Sequence, residues 1–180
     1  MFPPVHPGVA YLIYSPLARW RTDEPPTGGA TLALVVGAVL PDLVDQPLYY
    51  TFGLSSTRTL AHSLLVAIPV AVLAIALVRR LGGPQEVGIA FAVGYLSHPV
   101  ADAVWPFAFG AYEELGFLLW PITHSPDYPG QRLLLTVDGL TVTTLWVELL
   151  LLVAALGLWW QDGKPGAGRL QTTVSRWFGR

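Results

Sequence analysis

Long apolar runs, separated by short polar segments, make up most of the chain. The runs cover residues 8–20, 30–40, 60–78, 87–109 and 133–160. A membrane-spanning helix needs about 20 consecutive apolar residues, so the last three runs are long enough to cross a bilayer. The first two are shorter, and they either extend past these bounds or pack against the longer helices. This pattern predicts an all-α, polytopic membrane helix bundle of about five helices, some of them short or broken.

The composition also indicates a membrane protein. Hydrophobic residues make up 53% of the chain and charged residues only 12%, whereas soluble domains carry about 25% charged residues. The formal net charge of -2 argues against nucleic acid as a partner, and the absence of cysteine excludes disulfides and thiolate zinc ligands. No linker or repeat divides the chain. We therefore expect one membrane-embedded helical domain over residues 1–160 and a polar, basic tail over 161–180.

Basic residues are distributed unevenly between the predicted helix ends. If five helices alternate in direction, eight of the ten basic residues lie at one set of ends: Arg19, Arg21, Arg79, Arg80, Lys164, Arg169, Arg176 and Arg180. Cytoplasmic loops carry an excess of lysine and arginine. The C-terminus is therefore expected in the cytoplasm and the protein in the inner or plasma membrane. The same alternation collects a set of histidines and aspartates near the outer face, although a coincidence of short loops could give the same distribution.

This polar set consists of His6, Asp42, Asp45, His62, His98 and Asp102. Ionisable groups inside apolar runs are costly and usually mark a functional site. His98 and Asp102 lie four residues apart and share one face if their run is helical. Pro41 is expected to stop the second run, so that Asp42 ends that helix, and His62 is expected to begin the third helix.

Imidazole nitrogens and carboxylate oxygens are ligands of catalytic zinc sites. The pattern predicts a divalent metal site with the ligands His6, Asp42, His62, His98 and Asp102. Zinc is the expected ion, although manganese or iron would accept the same groups. Arg58 could stabilise an anionic phosphate or anchor the chain to lipid headgroups. Asp45 could bind the metal, orient a histidine or face solvent.

Each predicted ligand also has a purely structural interpretation. His6 could be an interfacial polar group, and Asp42 could satisfy backbone donors in a turn. His62 could be a polar residue in the first turn of its helix. His98 and Asp102 could form a hydrogen-bonded pair inside the bundle.

Three segments carry a family resemblance: Pro41-Asp42-Leu43-Val44-Asp45, Arg58-Thr59-Leu60-Ala61-His62-Ser63-Leu64-Leu65 and Gly94-Tyr95-Leu96-Ser97-His98-Pro99-Val100-Ala101-Asp102. Together, with an early histidine before them, they resemble the membrane-bound, predicted metal-dependent hydrolases, also described as LexA-binding, inner-membrane-associated hydrolases. The resemblance covers roughly residues 5–122. That family is distantly similar to zinc-dependent phospholipase C and related single-strand nucleases. The resemblance implies one metal ion on Asp42, His62, His98 and Asp102, and a second to which His6 with Asp102 could contribute.

The chain departs from the family's common His-Arg-Gly-x-Thr-His-Ser segment, because the first His, the Gly and the Thr are here Thr57, Thr59 and Ala61. The second acidic residue of the Pro-Asp motif is displaced by one position, to Asp45. These changes affect the motif that contains His62, so a membrane partner protein that has lost activity is one alternative.

The expected function is metal-dependent hydrolysis of a phosphoester in a lipid or lipid-linked substrate, by a hydrolase-like domain surrounded by membrane lipids. In this hypothesis Asp45 or a neighbouring carboxylate acts as base, and Arg58 steadies the phosphate. A non-enzymatic alternative is a membrane protein with a structural metal site or with a cluster that handles ions or protons. The sequence does not indicate the oligomeric state.

Overall fold

The chain folds as a bundle of α-helices in a computed structural model that describes residues 1–53, 56–126, 133–137 and 140–168. The α-helices are α1 (Val5–Thr22), α2 (Gly28–Phe52), α3 (Leu64–Arg80), α4 (Gln85–Ala108) and α5 (Thr144–Gln161). A 3-10 helix over Tyr112–Leu119 and an antiparallel hairpin of β1 (Leu133–Val137) and β2 (Leu140–Thr143) lie between α4 and α5. The predicted helical membrane bundle of about five helices is confirmed.

Three of the described helices, α2, α4 and α5, are long and apolar enough to cross a membrane. Helix α2 has 25 residues and α4 has 24, and at 1.5 Å per residue each exceeds the hydrocarbon thickness of about 30 Å. Helix α3 has 17 residues and exposes large apolar side chains such as Leu65, Val72 and Leu73. Exposed apolar side chains of this kind fit a lipid environment.

Helix α2 does not end at Pro41, as the sequence suggested, but continues well beyond it. The expectation that Asp42 ends a helix is therefore wrong. Prolines are tolerated inside membrane helices because neighbouring groups satisfy the backbone groups that they free. The carbonyl that Pro41 leaves without its helical donor is that of Gly37, and the next carbonyl along the chain, that of Ala38, lies 2.6 Å from Nδ1 of His98.

Helix α3 begins later than the sequence suggested. His62 was expected to begin this helix, whereas α3 begins at Leu64 with Ser63 as its N-cap. The Ser63 hydroxyl accepts a hydrogen bond from the backbone N–H of Leu65, as N-cap residues commonly do for one of the first helical donors. His62 lies in the turn before the helix, where both its backbone N–H and its ring can bind a neighbouring element.

The last apolar run is not helical throughout. The sequence suggested one helix over 133–160, but residues 133–137 and 140–143 form the hairpin, and α5 begins at Thr144. Threonine and valine are frequent in this part of the run, and β-branched residues favour strands. The apolar content of the segment is compatible with both structures, so hydropathy did not separate them.

Helices α2 and α4 cross closely at two glycines. A Cβ atom at Gly37 or at Gly94 would overlap a backbone carbonyl oxygen of the opposite helix. Small residues permit this approach between membrane helices. His98 lies one turn after Gly94, and the close crossing lets its ring reach the backbone of Ala38. The two glycines therefore bring the polar residues of α2 and α4 to one level.

The basic residues that can be placed lie away from the histidines, apart from Arg58. Helix α1 runs from near His6 to Arg21, and α3 runs from just after His62 to Arg80. The basic residues Arg132, Arg169, Arg176 and Arg180 lie outside the described residues, as does most of the predicted 161–180 tail. The domain boundary and the orientation in the membrane therefore stay predictions.

A buried carboxylate joins this basic end of α1 to the end of α5. Asp162 accepts hydrogen bonds of 2.6 Å from the hydroxyls of Tyr11 and Ser15, and it pairs with Arg19. Burial by itself raises the pKa of Asp162, but the hydrogen bonds from Ser15, Tyr11 and Arg19, with the guanidinium charge, outweigh it. The pKa of Asp162 is therefore held below its ordinary value of 3.8.

Candidate metal centre

Two histidine rings from different elements face each other inside the bundle. Nε2 of His62 lies 3.1 Å from Nε2 of His98, and both side chains are fully buried. Nδ1 of His62 lies 2.7 Å from a carboxylate oxygen of Asp45, and Nδ1 of His98 lies 2.6 Å from the carbonyl oxygen of Ala38. Both partners are acceptors, so each Nδ1 carries a hydrogen, and in the tautomer that this leaves for a neutral ring the Nε2 lone pair is directed towards the other ring. Facing lone pairs repel unless a proton or a metal ion lies between them.

Two carboxylates complete this set of ligand atoms. Oδ1 of Asp42 lies 3.7 Å from Nε2 of His62 and 3.8 Å from Nε2 of His98. Oδ2 of Asp102 lies 3.6 Å and 3.8 Å from the same two nitrogens. Ligand atoms at about 2.0–2.2 Å from a tetrahedral zinc ion are about 3.3–3.6 Å apart. The five distances among the histidine nitrogens and these oxygens are close to this spacing. Each carboxylate therefore lies at a spacing from the histidine pair that suits a zinc-sized ion.

Asp45 is fully buried and orients His62. Its carboxylate accepts hydrogen bonds from the backbone N–H groups of Thr59 at 2.8 Å, Ala61 at 3.0 Å and His62 at 3.2 Å, and from Nδ1 of His62 at 2.7 Å. Metal-binding histidines usually donate their second ring nitrogen to a carboxylate, a backbone carbonyl or water. The sequence left three roles open for Asp45: metal binding, orientation of a histidine, or exposure to solvent. These contacts support the orientation of a histidine.

Arg58 forms an ion pair with Asp102, one of the candidate metal ligands. Its Nε lies 2.9 Å from Oδ2 and its Nη2 lies 3.2 Å from Oδ1 of Asp102, which is the two-point geometry typical of arginine and carboxylate. The guanidinium carbon lies 5.7 Å from the centre of the Phe117 ring. The amino nitrogen of Met1 lies 2.6 Å from Oδ1 of Asp102. Arg58 thus places a fixed positive charge beside one of the candidate ligands.

His6 lies at the edge of the same centre. Its ring stacks on that of His98 with the ring centres 3.7 Å apart, and its Nε2 lies 3.4 Å from Oδ1 of Asp102. Its Nδ1 is buried without a hydrogen-bond partner. Two groups of three residues hold ligand atoms within 4.8 Å of one another: His6, His98 and Asp102, and Asp42, His62 and His98. Since Ala38 occupies Nδ1 of His98, this ring offers one nitrogen, and the two groups describe one shared centre.

Glu148 is a neighbour of the centre that sequence reasoning did not place there. It accepts hydrogen bonds of 2.7 Å from Nε1 of Trp105 and from the backbone N–H of Phe2. Trp105 lies one helical turn after Asp102 on α4, and Phe2 is adjacent to Met1. Glu148 therefore links both segments to α5 through these hydrogen bonds. A lone glutamate in an apolar membrane helix signals that a partner exists, but the sequence does not show which residue that partner is.

The structure brings all the predicted site residues into one region: His6, Asp42, Asp45, Arg58, His62, His98 and Asp102. They come from α1, α2, the turn before α3, and α4. Asp42 is 23% exposed, whereas Asp102 is 2% exposed and both central histidines are fully buried. Among these four candidate ligands, the centre is therefore most open at Asp42.

A bundle of apolar helices around a buried His/Asp centre defines a polytopic α-helical membrane protein. The chain matches the model of the YdjM inner membrane protein family over residues 1–171, and it belongs to that family. The family description names an inner membrane protein and says nothing of a metal, of hydrolysis or of LexA. No curated protein and no solved structure matches the chain.

Proposed function

We propose that the protein is a membrane-bound, metal-dependent hydrolase that acts on a phosphoester of a lipid or lipid-linked substrate. The observation that carries this proposal is the 3.1 Å approach of the His62 and His98 Nε2 atoms, with both Nδ1 atoms held by acceptors. A proton would bridge only the two rings. A divalent ion would use Asp42 and Asp102 as well, and both carboxylates lie at ligand spacing.

Asp42, His62, His98 and Asp102 are the proposed ligands, and zinc is the proposed ion. When bound, the ion would supply Lewis-acid activation of a phosphoryl group and of a water molecule. The Asp42 and Asp102 carboxylates offset the charge of a divalent ion, which lowers the cost of burying it, and Asp102 is shared with the Arg58 guanidinium and the Met1 amino group. The donor set therefore suits the low-dielectric interior of the bundle.

The surrounding residues have separate proposed roles. Asp45 holds the ring of His62, and its oxygens accept hydrogen bonds from this ring and from backbone N–H groups, which supports orientation of His62 over the role of base. His6 is a further candidate ligand, because its Nε2 lies 3.4 Å from Oδ1 of Asp102 and it shares a group of possible ligand atoms with His98 and Asp102. Arg58 is proposed to attract the phosphate and to steady the charge that develops on it.

A non-enzymatic structural metal site, or an ion- or proton-handling cluster, is the alternative. Both would use the same candidate ligands, but an ion path would need further polar groups across the bundle. Among the described residues, Glu148 and Asp162 are buried carboxylates outside the centre, and hydrogen bonds hold each of them between helices. These contacts support structural roles for the two carboxylates more than a conduction path.

The proposed location is the inner or plasma membrane, with the C-terminus in the cytoplasm and the metal centre towards the outer side. The support for this orientation is the excess of basic residues at the helix ends that lie away from the centre. Reporter fusions at the C-terminus test it, because a reporter that is active only outside the cytoplasm should stay inactive.

The direct test of the function is hydrolysis by purified, zinc-loaded protein in lipid nanodiscs. Phosphatidic acid, phosphatidylglycerol and a soluble p-nitrophenyl phosphodiester serve as substrates. The proposal expects turnover of at least one of them, its loss in His62→Ala, and its retention in His124→Ala, since His124 is exposed. Zinc binding without turnover of any of these substrates would contradict the hydrolase proposal and favour the structural alternative or a protein that has lost activity.

A further inference from the structure

The metal centre opens into an apolar groove between α1 and α2. A cavity of about 320 Å³ has Asp42 in its wall, together with Pro4 and Pro7 of the α1 end and Val39 and Leu43 of α2. Asp42 is also the most exposed of the four proposed ligands. A molecule in this cavity would therefore contact the centre at its Asp42 end and apolar side chains elsewhere.

A second cavity continues the groove along the helices. It measures about 220 Å³ and is also lined by Pro4 and Pro7, so the two cavities adjoin. Its other walls include Val35 of α2 and Leu156 of α5. Both side chains are partly exposed, at 38% and 53%, which indicates that the groove is open along its side to the surroundings of the helices. In a membrane those surroundings are lipid chains.

One face of α2 forms the floor of the whole groove. Thr31, Val35, Val39 and Leu43 line the two cavities at intervals of four residues, and this spacing places them on the same helix face. From Asp42 to Thr31 the helix rises about 16 Å. One leaflet of hydrocarbon is about 15 Å deep, half of the bilayer core. The groove therefore has about the length of one acyl chain, and it runs from Asp42 towards the first turn of α2.

We infer that this groove, named here the α1–α2 groove, holds one acyl chain of a phosphate-bearing lipid whose headgroup lies at the Asp42 end. The inference rests on the proposed function for the role of the centre, and it adds the route by which the substrate enters, sideways from the bilayer. A helix of a partner protein is about 10 Å wide and would lie over the openings of the two cavities, of about 320 Å³ and 220 Å³, without filling them. A single hydrocarbon chain does fit them.

A chain-length experiment tests the groove. Val35→Trp should fill it about 10 Å below Asp42, so that long chains are obstructed more than short ones. We expect the ratio of dipalmitoyl to dihexanoyl phosphatidic acid turnover to fall by about tenfold. Val36→Trp is the matched control, because Val36 lies next to Val35 but about 100° around the helix and is 52% exposed. An unchanged ratio in Val35→Trp, or an equal fall in both variants, would overturn the inference.

A labelling experiment separates failure of the groove from failure of the enzyme. Phosphatidic acid with a diazirine near the end of one acyl chain is photolysed with the protein in nanodiscs, and labelled peptides are mapped by mass spectrometry. The groove predicts labelling near Thr31 and Val35 that short-chain phosphatidic acid suppresses, with or without hydrolysis. Turnover without this labelling would contradict the inference that the groove holds an acyl chain, while the proposed hydrolase function would stand. Labelling that is not suppressed, or that is equal on the exposed face of α3, would indicate bulk lipid and would overturn the inference.

Discussion

Asp45 binds His62 twice, through the ring and through the backbone. An Asp45 carboxylate oxygen lies 2.7 Å from Nδ1 of His62 and 3.2 Å from its backbone nitrogen. The same carboxylate takes the backbone N–H groups of Thr59 and Ala61. The turn that presents His62 is therefore wrapped around one buried carboxylate, which fixes both the position of the residue and the tautomer of its ring.

Asp45→Asn should weaken metal binding without removing any proposed ligand. The NH₂ group of the new asparagine side chain is a donor, and it would face backbone and ring N–H groups that now donate to a carboxylate oxygen. His62 would therefore lose its fixed orientation. Loss of such an orienting partner typically lowers metal affinity 10–100-fold, and zinc titration of the purified variant measures it. Asp23→Asn is the control, since Asp23 is exposed. Equal zinc affinity in Asp45→Asn and the wild type would contradict this role.

The same contacts bear on the departures from the family motif. Thr59 and Ala61 bind Asp45 through their backbone N–H groups, and almost any residue supplies such a group. The replacement of the family's Gly and Thr at these positions therefore leaves the contacts to Asp45 in place.

Gly94→Ala should destabilise the bundle and the centre together. The added Cβ would overlap a carbonyl oxygen of α2, so the helices would have to separate. Overpacking of this kind typically costs about 1–3 kcal/mol. Thermal unfolding in detergent should show the loss. Gly157→Ala tests the same change on α5, where a Cβ meets nothing within 4 Å, and it should leave the unfolding temperature near that of the wild type. Similar behaviour of the two variants would contradict the close crossing.

Arg58→Gln should lower turnover more than it lowers metal content. Arg58 contacts Asp102 with both Nε and Nη2 but is not itself a proposed ligand. The substitution removes the positive charge that is proposed to stabilise the phosphate, and mutations of such groups commonly reduce kcat by about 100-fold or more. Steady-state kinetics and zinc content on the same preparation separate the two effects. A parallel fall in turnover and in zinc content would indicate that Arg58 stabilises the metal centre and does not act on the phosphate.

Acid should weaken the contact between α1 and α5. The folded pKa of Asp162 is below its ordinary value of 3.8, so its contribution to stability is complete above 3.8 and is lost as the pH falls through the lower, folded pKa. Asp162→Asn should reduce the free energy of unfolding by about 1–3 kcal/mol at neutral pH. The difference from the wild type should shrink below pH 3.8. Chemical unfolding of both proteins across this range measures it, and a difference independent of pH would exclude the charged form of Asp162 as the cause.

The membrane bundle and the meeting of the polar residues could be predicted from the sequence. Apolar length gave the number of helices, and the spacing of His98 and Asp102 gave one shared helix face. The four-residue period follows from helix geometry alone, so this part of the site needed no tertiary information.

The local structure around Pro41 and His62 could not be predicted in the same way. Proline usually stops a helix in water, but a membrane helix can continue because its neighbours satisfy the freed groups. The partners of Glu148 depend on which segments pack against α5, and that information lies in tertiary contacts, here with Trp105 of α4 and with Phe2. The role of Asp45 likewise depends on the fold of the turn from Thr59 to His62.

The most direct measurement of the central claim is the metal content of the protein, purified in detergent and equilibrated with zinc. The account predicts about one tightly bound zinc ion per chain in the wild type and in His124→Ala, and its loss in His62→Ala, His98→Ala and Asp42→Asn, whose positions meet at ligand spacing. Thermal unfolding of the metal-free proteins would show that each variant is folded. Equal zinc content in all five proteins, or no bound metal in the wild type, would contradict the proposed centre.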